Sequence, residues 1–297
     1  MVRTIVGAAM ISGLVLVAGC AGGRSTDYYD ALESTLRLTG NLRTETAPPD
    51  ASYDAADLVR NFERVALYSE ADVTQPGGED NRETRPLRRW GGPINYSLFG
   101  SAVTPEDRVE VAGLMQRIAR LTGLEVAESE DDVNFMILIT RPDERDVVSG
   151  ELALADPVLS ETFDTWRHSP ELVCFGAIFR ADEEDYRIVG AMISIGSETR
   201  DLIRRACLHE EIVQSLGLAN DHPDVRPSIF NDDQEFALLT EHDENLLRIL
   251  YDPRLAPGMT GAEAMPIVER IAAGIAIDPP AAAGADRAQK PASDSGT

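Results

Sequence analysis

The sequence contains little lysine, histidine and cysteine, and few basic residues relative to its acidic ones. Lysine occurs once, at Lys290; there are four histidines and three cysteines, and 27 Lys and Arg residues stand against 51 Asp and Glu residues. The formal net charge is therefore −24. This charge argues against nucleic-acid binding, which requires basic patches, and against docking on anionic lipid headgroups.

Several common site motifs are also missing from the chain. There is no P-loop and no glycine-rich dinucleotide fingerprint, and Ser215 does not lie in a nucleophile elbow. The acidic runs 128–132 and 182–185 lack the alternating ligands and central glycine of an EF-hand, so we interpret them as solvated loops. Hydrophobic residues make up 43% of the chain, which is enough for a globular core and excludes a collagen-like or wholly disordered chain.

The N-terminus has the pattern of a secretory signal. Arg3 precedes a mostly apolar run over 4–17 that is too short to span a bilayer comfortably as a permanent helix. The run ends in Leu-Val-Ala-Gly-Cys at 16–20, which resembles the bacterial lipobox. The resemblance implies a signal peptide over 1–19, lipidation of Cys20 and a periplasm-facing lipoprotein in the cell envelope. Alanine in place of aspartate at position 21 implies the outer membrane. An ordinary signal peptide with an incidental Cys20 is the alternative.

The other two cysteines are Cys174 and Cys207. Export into an oxidising compartment favours a disulfide between them. Such a bond would close a loop of roughly 33 residues and stabilise the fold by about 3–4 kcal/mol. Two buried free thiols are the alternative.

The mature chain divides into a tether, one globular region and a tail. Residues 20–50 are polar, contain paired glycines and prolines, and are expected to form the tether with a short helix near 28–38. Residues 51–277 have neither an internal repeat nor a strong linker, and 76–88 is the best candidate for a long surface loop. Residues 278–297 are mostly Ala, Pro, Ser, Gly and Asp, a composition that predicts disorder.

The globular region alternates between predicted helices and strands. We expect helices over 54–68, 104–121, 156–167, 199–216, 236–251 and 261–275, and strands over 93–98, 134–140, 173–179 and 187–195. The last two strands are joined by an acidic turn and should form an antiparallel hairpin. Strands and helices mixed in this way predict an α+β fold.

The helix predicted over 199–216 carries the strongest candidate for chemistry. Glu210 and Gln214 lie one turn apart where surrounding apolar residues predict burial, and buried polar side chains need partners. The spacing Glu210-Glu211-x-x-Gln214-x-x-Gly217-x-x-Asn220 resembles the zincin motif His-Glu-x-x-His-x-x-Gly-x-x-His/Asp. In that motif the helical histidines bind zinc and the glutamate is the general base.

Carried over by position, this resemblance places Glu210, Gln214 and Asn220 at the three metal-ligand positions and Glu211 at the base position. No imidazole remains at any ligand position. Carboxylate and amide oxygens suit Ca²⁺, Mg²⁺ or Mn²⁺ better than Zn²⁺, and one carboxylate with two amides would bind a metal weakly. The implied metal site is therefore degenerate.

A longer set of motifs resembles one bacterial family. The motifs are Cys-Leu-x-Glu-Glu-x-x-Gln-x-Leu-Gly-Leu-x-Asn-Asp at 207–221, Ser-Ile-Phe-Asn-Asp at 228–232, Leu-Leu-Arg-Ile-Leu-Tyr-Asp-Pro-Arg-Leu-x-Pro-Gly-Met at 246–259 and Arg-Trp-x-x-Pro at 89–93. Over roughly 55–262 the chain is similar to the domain of unknown function 2927 (DUF2927). The resemblance implies a single zincin-like α+β domain, with a mixed sheet and hairpin packed on a buried central helix. It implies no established activity.

Three functional hypotheses follow. In the first, the chain is a lipid-anchored, non-catalytic binding module that needs no cofactor and holds a peptide, a glycan or an envelope protein beside the helix. In the second, a divalent metal is bound at the three ligand positions and Glu211 acts as the general base of a peptidase or hydrolase. In the third, a different metal site is built from His209, Asp221, His222 and His242. The missing imidazoles favour the first hypothesis.

Overall fold

The computed structural model describes residues 3–7, 23–68, 85–182 and 184–275. The helices are α1 (Thr26–Leu38), α2 (Ala55–Ala66), α3 (Pro105–Thr122), α4 (Pro142–Ala155), α5 (Pro157–His168), α6 (Asp201–Gln214), α7 (Glu241–Leu250) and α8 (Gly261–Ala272). The strands are β1 (Arg3–Gly7), β2 (Arg89–Trp90), β3 (Ile94–Phe99), β4 (Val126–Glu128), β5 (Phe135–Thr140), β6 (Cys174–Arg180) and β7 (Arg187–Gly196). Among these helices, none has the length and apolar character that a membrane span requires.

The strands form one mixed sheet in the order β1-β6-β7-β5-β3-β4, with the short β2 paired to β7. The strands β3, β4, β5 and β7 pair in parallel, whereas β6 is antiparallel to β7. The β6–β7 pair is the hairpin predicted from the sequence, and the mixed sheet with its helices agrees with the predicted α+β class.

Helices cover both faces of the sheet. On one face, α6 lies against β6 and β7 within the main hydrophobic core, which also includes buried residues of α2, α3, α7 and α8. On the other face, α5 packs Phe163 and Trp166 against Phe175 and Ala177 of β6. Successive residues of β6 therefore point into different cores, as the two-residue period of a strand requires. The predicted buried central helix is α6.

The helix ends follow local sequence. Thr104 accepts a hydrogen bond from the Asp107 backbone N–H, while the Asp107 carboxylate accepts one from the Thr104 N–H, and α3 ends at Gly123 with φ of 73°. The helix predicted from residue 236 begins only at Glu241. Thr240 caps it, and Phe236 instead bridges to Arg43.

The sequence prediction missed α4. Its hydrophobic residues do not form a buried stripe, because Val147 and Leu154 are largely exposed. Pro142 in its first turn, together with Glu144 accepting the Arg141 backbone N–H, is a helix-start signal that could have identified it.

The segment 20–50, expected to be a tether, packs on the domain from residue 23 onward. Helix α1 buries Tyr29 and Leu36. The Arg24 side chain donates hydrogen bonds to the Glu198 carboxylate at 2.6 Å and to four backbone carbonyl groups. Those carbonyls belong to Trp166, Ser169, Leu172 and Val173.

Cys174 and Cys207 form the expected disulfide, which joins the start of β6 to the middle of α6. Residues 3–7, within the expected signal peptide, form β1 and pair antiparallel with β6. Cys20 and the tail 278–297 lie outside the described residues, and the predicted loop 76–88 is described only from residue 85.

Candidate functional site

The predicted base position lies where α6 approaches β6. The disulfide holds the helix and the strand together one turn before Glu211. A glycine at position 176 of β6 permits this close approach, since a Cβ atom there would overlap Oε2 of Glu211. The sequence thus brings the Glu211 carboxyl group directly against the backbone of the strand.

Glu211 is almost completely buried, with 1% of its surface exposed. Within the described part of the chain its Oε1 atom has no hydrogen-bond partner. Burial and, secondarily, the negative charge of Asp221 raise the pKa of Glu211 from its ordinary value of 4.5 to about 8. At neutral pH the group is therefore mostly protonated and can donate a hydrogen bond.

Glu210 and Gln214 meet at a third residue, Asp221. Gln214 Nε2 donates a hydrogen bond to Asp221 Oδ1 at 2.9 Å. Glu210 also hydrogen-bonds Asp221, and burial together with the charges of Asp221 and Glu211 raises the pKa of Glu210 well above its ordinary value. Two carboxyl groups can share a hydrogen bond only if one holds a proton, so Glu210 and Asp221 form a proton-sharing pair.

Asn220, the third ligand position, is attached to α2. Its Nδ2 atom donates to the Arg64 carbonyl at 2.8 Å and its backbone N–H donates to Val65. Among the described residues, no group of three or more His, Cys, Asp and Glu side chains is arranged to hold a metal ion. Of the three predicted ligand positions, Glu210 and Gln214 therefore meet at Asp221, whereas the Asn220 amide nitrogen is bonded to α2.

The histidines of the third hypothesis also lie in separate environments. Each has a partner of its own: the Glu110 carboxylate for His209 at 2.8 Å, the Asn61 amide for His242 at 3.0 Å, and the Asp224 backbone N–H for His222 at 3.1 Å. The Nδ1 atom of His209 further accepts the Leu239 N–H. These contacts explain the histidines as structural residues and do not assemble them into one site.

A cleft opens beside Glu211. It is lined by Glu211, Gln214 and Ser215 of α6, by residues 176–178 of β6 and by Arg85, Pro86 and Arg88. It has about 640 Å³ of empty space, a volume that includes open solvent at its mouth. Sequence reasoning missed Arg88 as part of this site. The Arg88-Arg89 pair in a strongly acidic chain is the signal that could have identified it.

The outer edge of β6 forms a wall of the cleft and carries an extended segment. Residues Arg3–Gly7 pair with it from Arg180 to Gly176, in antiparallel register. The backbone groups of this edge are therefore accessible to a strand that lies alongside the cleft. Among the residues that the structure describes, β1 is the strand that pairs with this edge, so a chain without residues 1–19 would lack that partner.

Comparisons with known proteins agree with the motif-based resemblance. The family model described as "Protein of unknown function (DUF2927)" matches residues 55–270, which is well over half of the chain. No curated protein and no solved structure matches the sequence.

Proposed function

We propose, from the premise that the chain belongs to the DUF2927 family, that it is a non-catalytic peptide-binding module anchored by a lipid in the bacterial cell envelope. The observation that carries this proposal is the edge of β6, which pairs with an extended segment directly beside the cleft. Addition of a peptide strand to a sheet edge is a common mode of recognition, in which the backbone supplies affinity and flanking pockets supply specificity.

The surroundings of α6 support a zincin-like fold that does not carry out the metal-dependent hydrolysis typical of zincins. The helix that carries the Glu-Glu-x-x-Gln motif lies against the single antiparallel strand next to a parallel sheet. Among the described residues, the Asn220 Oδ1 atom has no hydrogen-bond partner, which leaves one amide oxygen as a candidate metal ligand from that residue. A metal does not fit the predicted ligand positions as a set, because Glu210 is paired with Asp221 and the amide nitrogens of Gln214 and Asn220 donate to Asp221 and to the Arg64 carbonyl. We therefore derive no hydrolytic step for this chain.

The attachment of Arg24 supports a position close to a membrane. Only four residue steps separate Cys20 from Arg24, and an extended chain spans at most about 14 Å over that length. A lipid on Cys20 would therefore hold the domain at the bilayer surface. The strong negative charge of the chain would not by itself attract anionic lipids, so the covalent lipid supplies the attachment.

Hydrogen exchange tests the peptide-binding proposal on the chain purified from cell membranes in detergent. Mass spectrometry of the N-terminal peptide first establishes whether Cys20 is acylated and whether residues 1–19 are absent. We expect a ten-residue extended peptide containing the sequence of residues 3–7 to slow exchange of amides in β6. The strand β4, at the opposite edge of the sheet, is the internal control and should not change. No protection of β6, or equal protection of both edges, would contradict the proposal.

A further inference from the structure

Arg88 is a partly buried arginine that lies among charges of its own sign. Its Nε atom is buried and, within the described ranges of the chain, has no hydrogen-bond partner. Burial and then the guanidinium groups of Arg180 and Arg85 lower its pKa to about 10, although Tyr186 opposes them. At neutral pH the group therefore remains charged. A partly buried charge without a counter-ion is unfavourable, so an anionic ligand would stabilise it.

Other arginines of this acidic chain show the contrast. Arg43 and Arg226 share the carboxylates of Asp50 and Glu235 at distances of 2.6–3.1 Å. In the described structure, the charges acting on Arg88 include no carboxylate. In a chain with 51 acidic residues, a cleft that places an arginine beside other arginines is selective for an external anion.

The register of β6 indicates where that anion would lie on a bound strand. Gly176 faces Glu211, because a side chain there would meet Oε2 of that residue. Side chains alternate along a strand, so Ile178 and Arg180 share the face of Gly176. Gly176 and Ile178 line the same cleft as Glu211 and Arg88, so this face of β6 borders both of those side chains.

Residues directly opposite in an antiparallel pair project from the same face of the sheet. A peptide residue opposite Ile178, where residue 5 pairs in β1, therefore projects toward the cleft that Glu211 and Arg88 line. In a bound peptide strand, the two neighbours of this residue project to the other side of the sheet. One side chain of a bound peptide is thus singled out by the register.

We propose that the cleft selects extended peptides that carry a carboxylate side chain opposite Ile178, and that Arg88 binds this carboxylate. The proposal rests on the strand-binding function proposed above and names the chemistry of its ligand. A guanidinium group can hold a carboxylate through two parallel hydrogen bonds, which gives both affinity and orientation. A protonated Glu211 adds a hydrogen-bond donor at the other end of the same face without competing as a negative charge.

A matched pair of peptides tests this selectivity. Both are ten-residue, capped, fluorescein-labelled peptides built on residues 4–7, with the isoleucine replaced by glutamate in one and by glutamine in the other. Binding to the membrane-purified chain is measured by fluorescence anisotropy at pH 7. We expect the glutamate peptide to bind about tenfold more tightly, the effect of a partly desolvated charge-assisted hydrogen bond.

Two variants separate the role of Arg88 from that of net charge. Arg88→Gln should reduce the ratio of the two affinities to about one, whereas Arg120→Gln, at an exposed position of α3, should leave it unchanged. Equal affinities in the unaltered chain, or an unchanged ratio in Arg88→Gln, would overturn the proposal. If Arg88→Gln does not fold, the ratio of the two peptide affinities in the unaltered chain still tests whether the cleft selects a carboxylate. If neither peptide protects β6 from exchange, strand binding itself fails, which is a different result from equal binding of both peptides.

Discussion

Glu211→Gln is expected to increase the free energy of unfolding at pH 8 and to leave it nearly unchanged below about pH 4.5. In the folded chain the pKa of Glu211 is about 8, against an ordinary value of 4.5 when unfolded. Between these values the folded state binds more protons than the unfolded state, so stability falls as pH rises and levels off above pH 8. Glutamine keeps the shape and cannot ionise. The expected gain at pH 8 is a few kcal/mol, at most about 5.

Urea unfolding at several pH values from 4 to 9, in the presence of a chelator, measures this effect. Glu110→Gln is a control of opposite sign, because the hydrogen bond from His209 lowers the pKa of Glu110 to about 2. The Glu110 carboxylate stabilises the fold above its unfolded pKa, and that contribution is lost as pH falls toward 2. Glu110→Gln should therefore destabilise the chain at pH 7. A difference between Glu211→Gln and the unaltered chain that stays constant from pH 5 to 8 would show that Glu211 is ionised in the fold.

A residue whose replacement stabilises the fold has a role other than stability. Glu211 is buried, and its Oε1 atom lacks a hydrogen-bond partner within the described structure. Groups with strongly shifted pKa values concentrate at functional sites for this reason. The stability test therefore also bears on the cleft, because the side chain expected to weaken the fold is one that lines it.

The sequence predicted those parts of the structure that depend on neighbouring residues. The limits of α3 follow from Thr104 and Gly123, and the β6–β7 hairpin follows from two apolar runs around an acidic turn. The i, i+4 spacing of Glu210 and Gln214 also showed that these two residues would need partners. Such features require only the helical or extended period of the chain and the chemistry of its caps.

The rest of the site depends on residues that are far apart in the sequence. Asp221 reaches Glu210 and Gln214 only because the chain turns after α6. Arg88 and Gly176 line the cleft together with Glu211 because separate segments of the chain pack against α6. The helical or extended periodicity of a single segment does not predict such contacts between distant segments. The helix α4 was missed for a different reason, since a helix whose apolar residues face solvent has no stripe to detect.

Arg24→Ala is expected to lower the free energy of unfolding by about 3–5 kcal/mol, the usual effect of removing one partner of a buried ion pair. The Arg24 and Glu198 side chains are 3% and 7% exposed. Burial alone would raise the pKa of Glu198, but hydrogen bonds from Arg145 and Arg24 outweigh it and keep that pKa below its ordinary value. Loss of Arg24 leaves Glu198 with one cation and leaves four backbone carbonyls without this donor.

Urea unfolding of the Arg24→Ala and Arg37→Ala variants at pH 7 tests this expectation. Arg37 pairs with Glu33 on the surface of α1, so its removal should change stability by less than about 1 kcal/mol. Arg24→Lys keeps the charge but cannot reproduce the several donors of a guanidinium group. Its loss of unfolding free energy should therefore lie between those of Arg37→Ala and Arg24→Ala. A loss in Arg24→Ala no larger than that in Arg37→Ala would mean that residues 23–38 are not held by this contact.

The same variants distinguish a short attachment from a flexible tether. If Arg24 fixes the chain to the domain, limited proteolysis should leave α1 intact in the unaltered protein and cut the segment 23–50 more rapidly in Arg24→Ala. In Arg24→Ala the number of residues that separate Cys20 from the folded domain would then increase from a few to the length of the released segment. A lipid on Cys20 would in that case hold the β6 edge near the membrane only while Arg24 is in place, because Arg24 bonds the Val173 carbonyl immediately before β6 begins. Equal proteolysis of both proteins would instead show that α1 is held by its own packing through Tyr29 and Leu36.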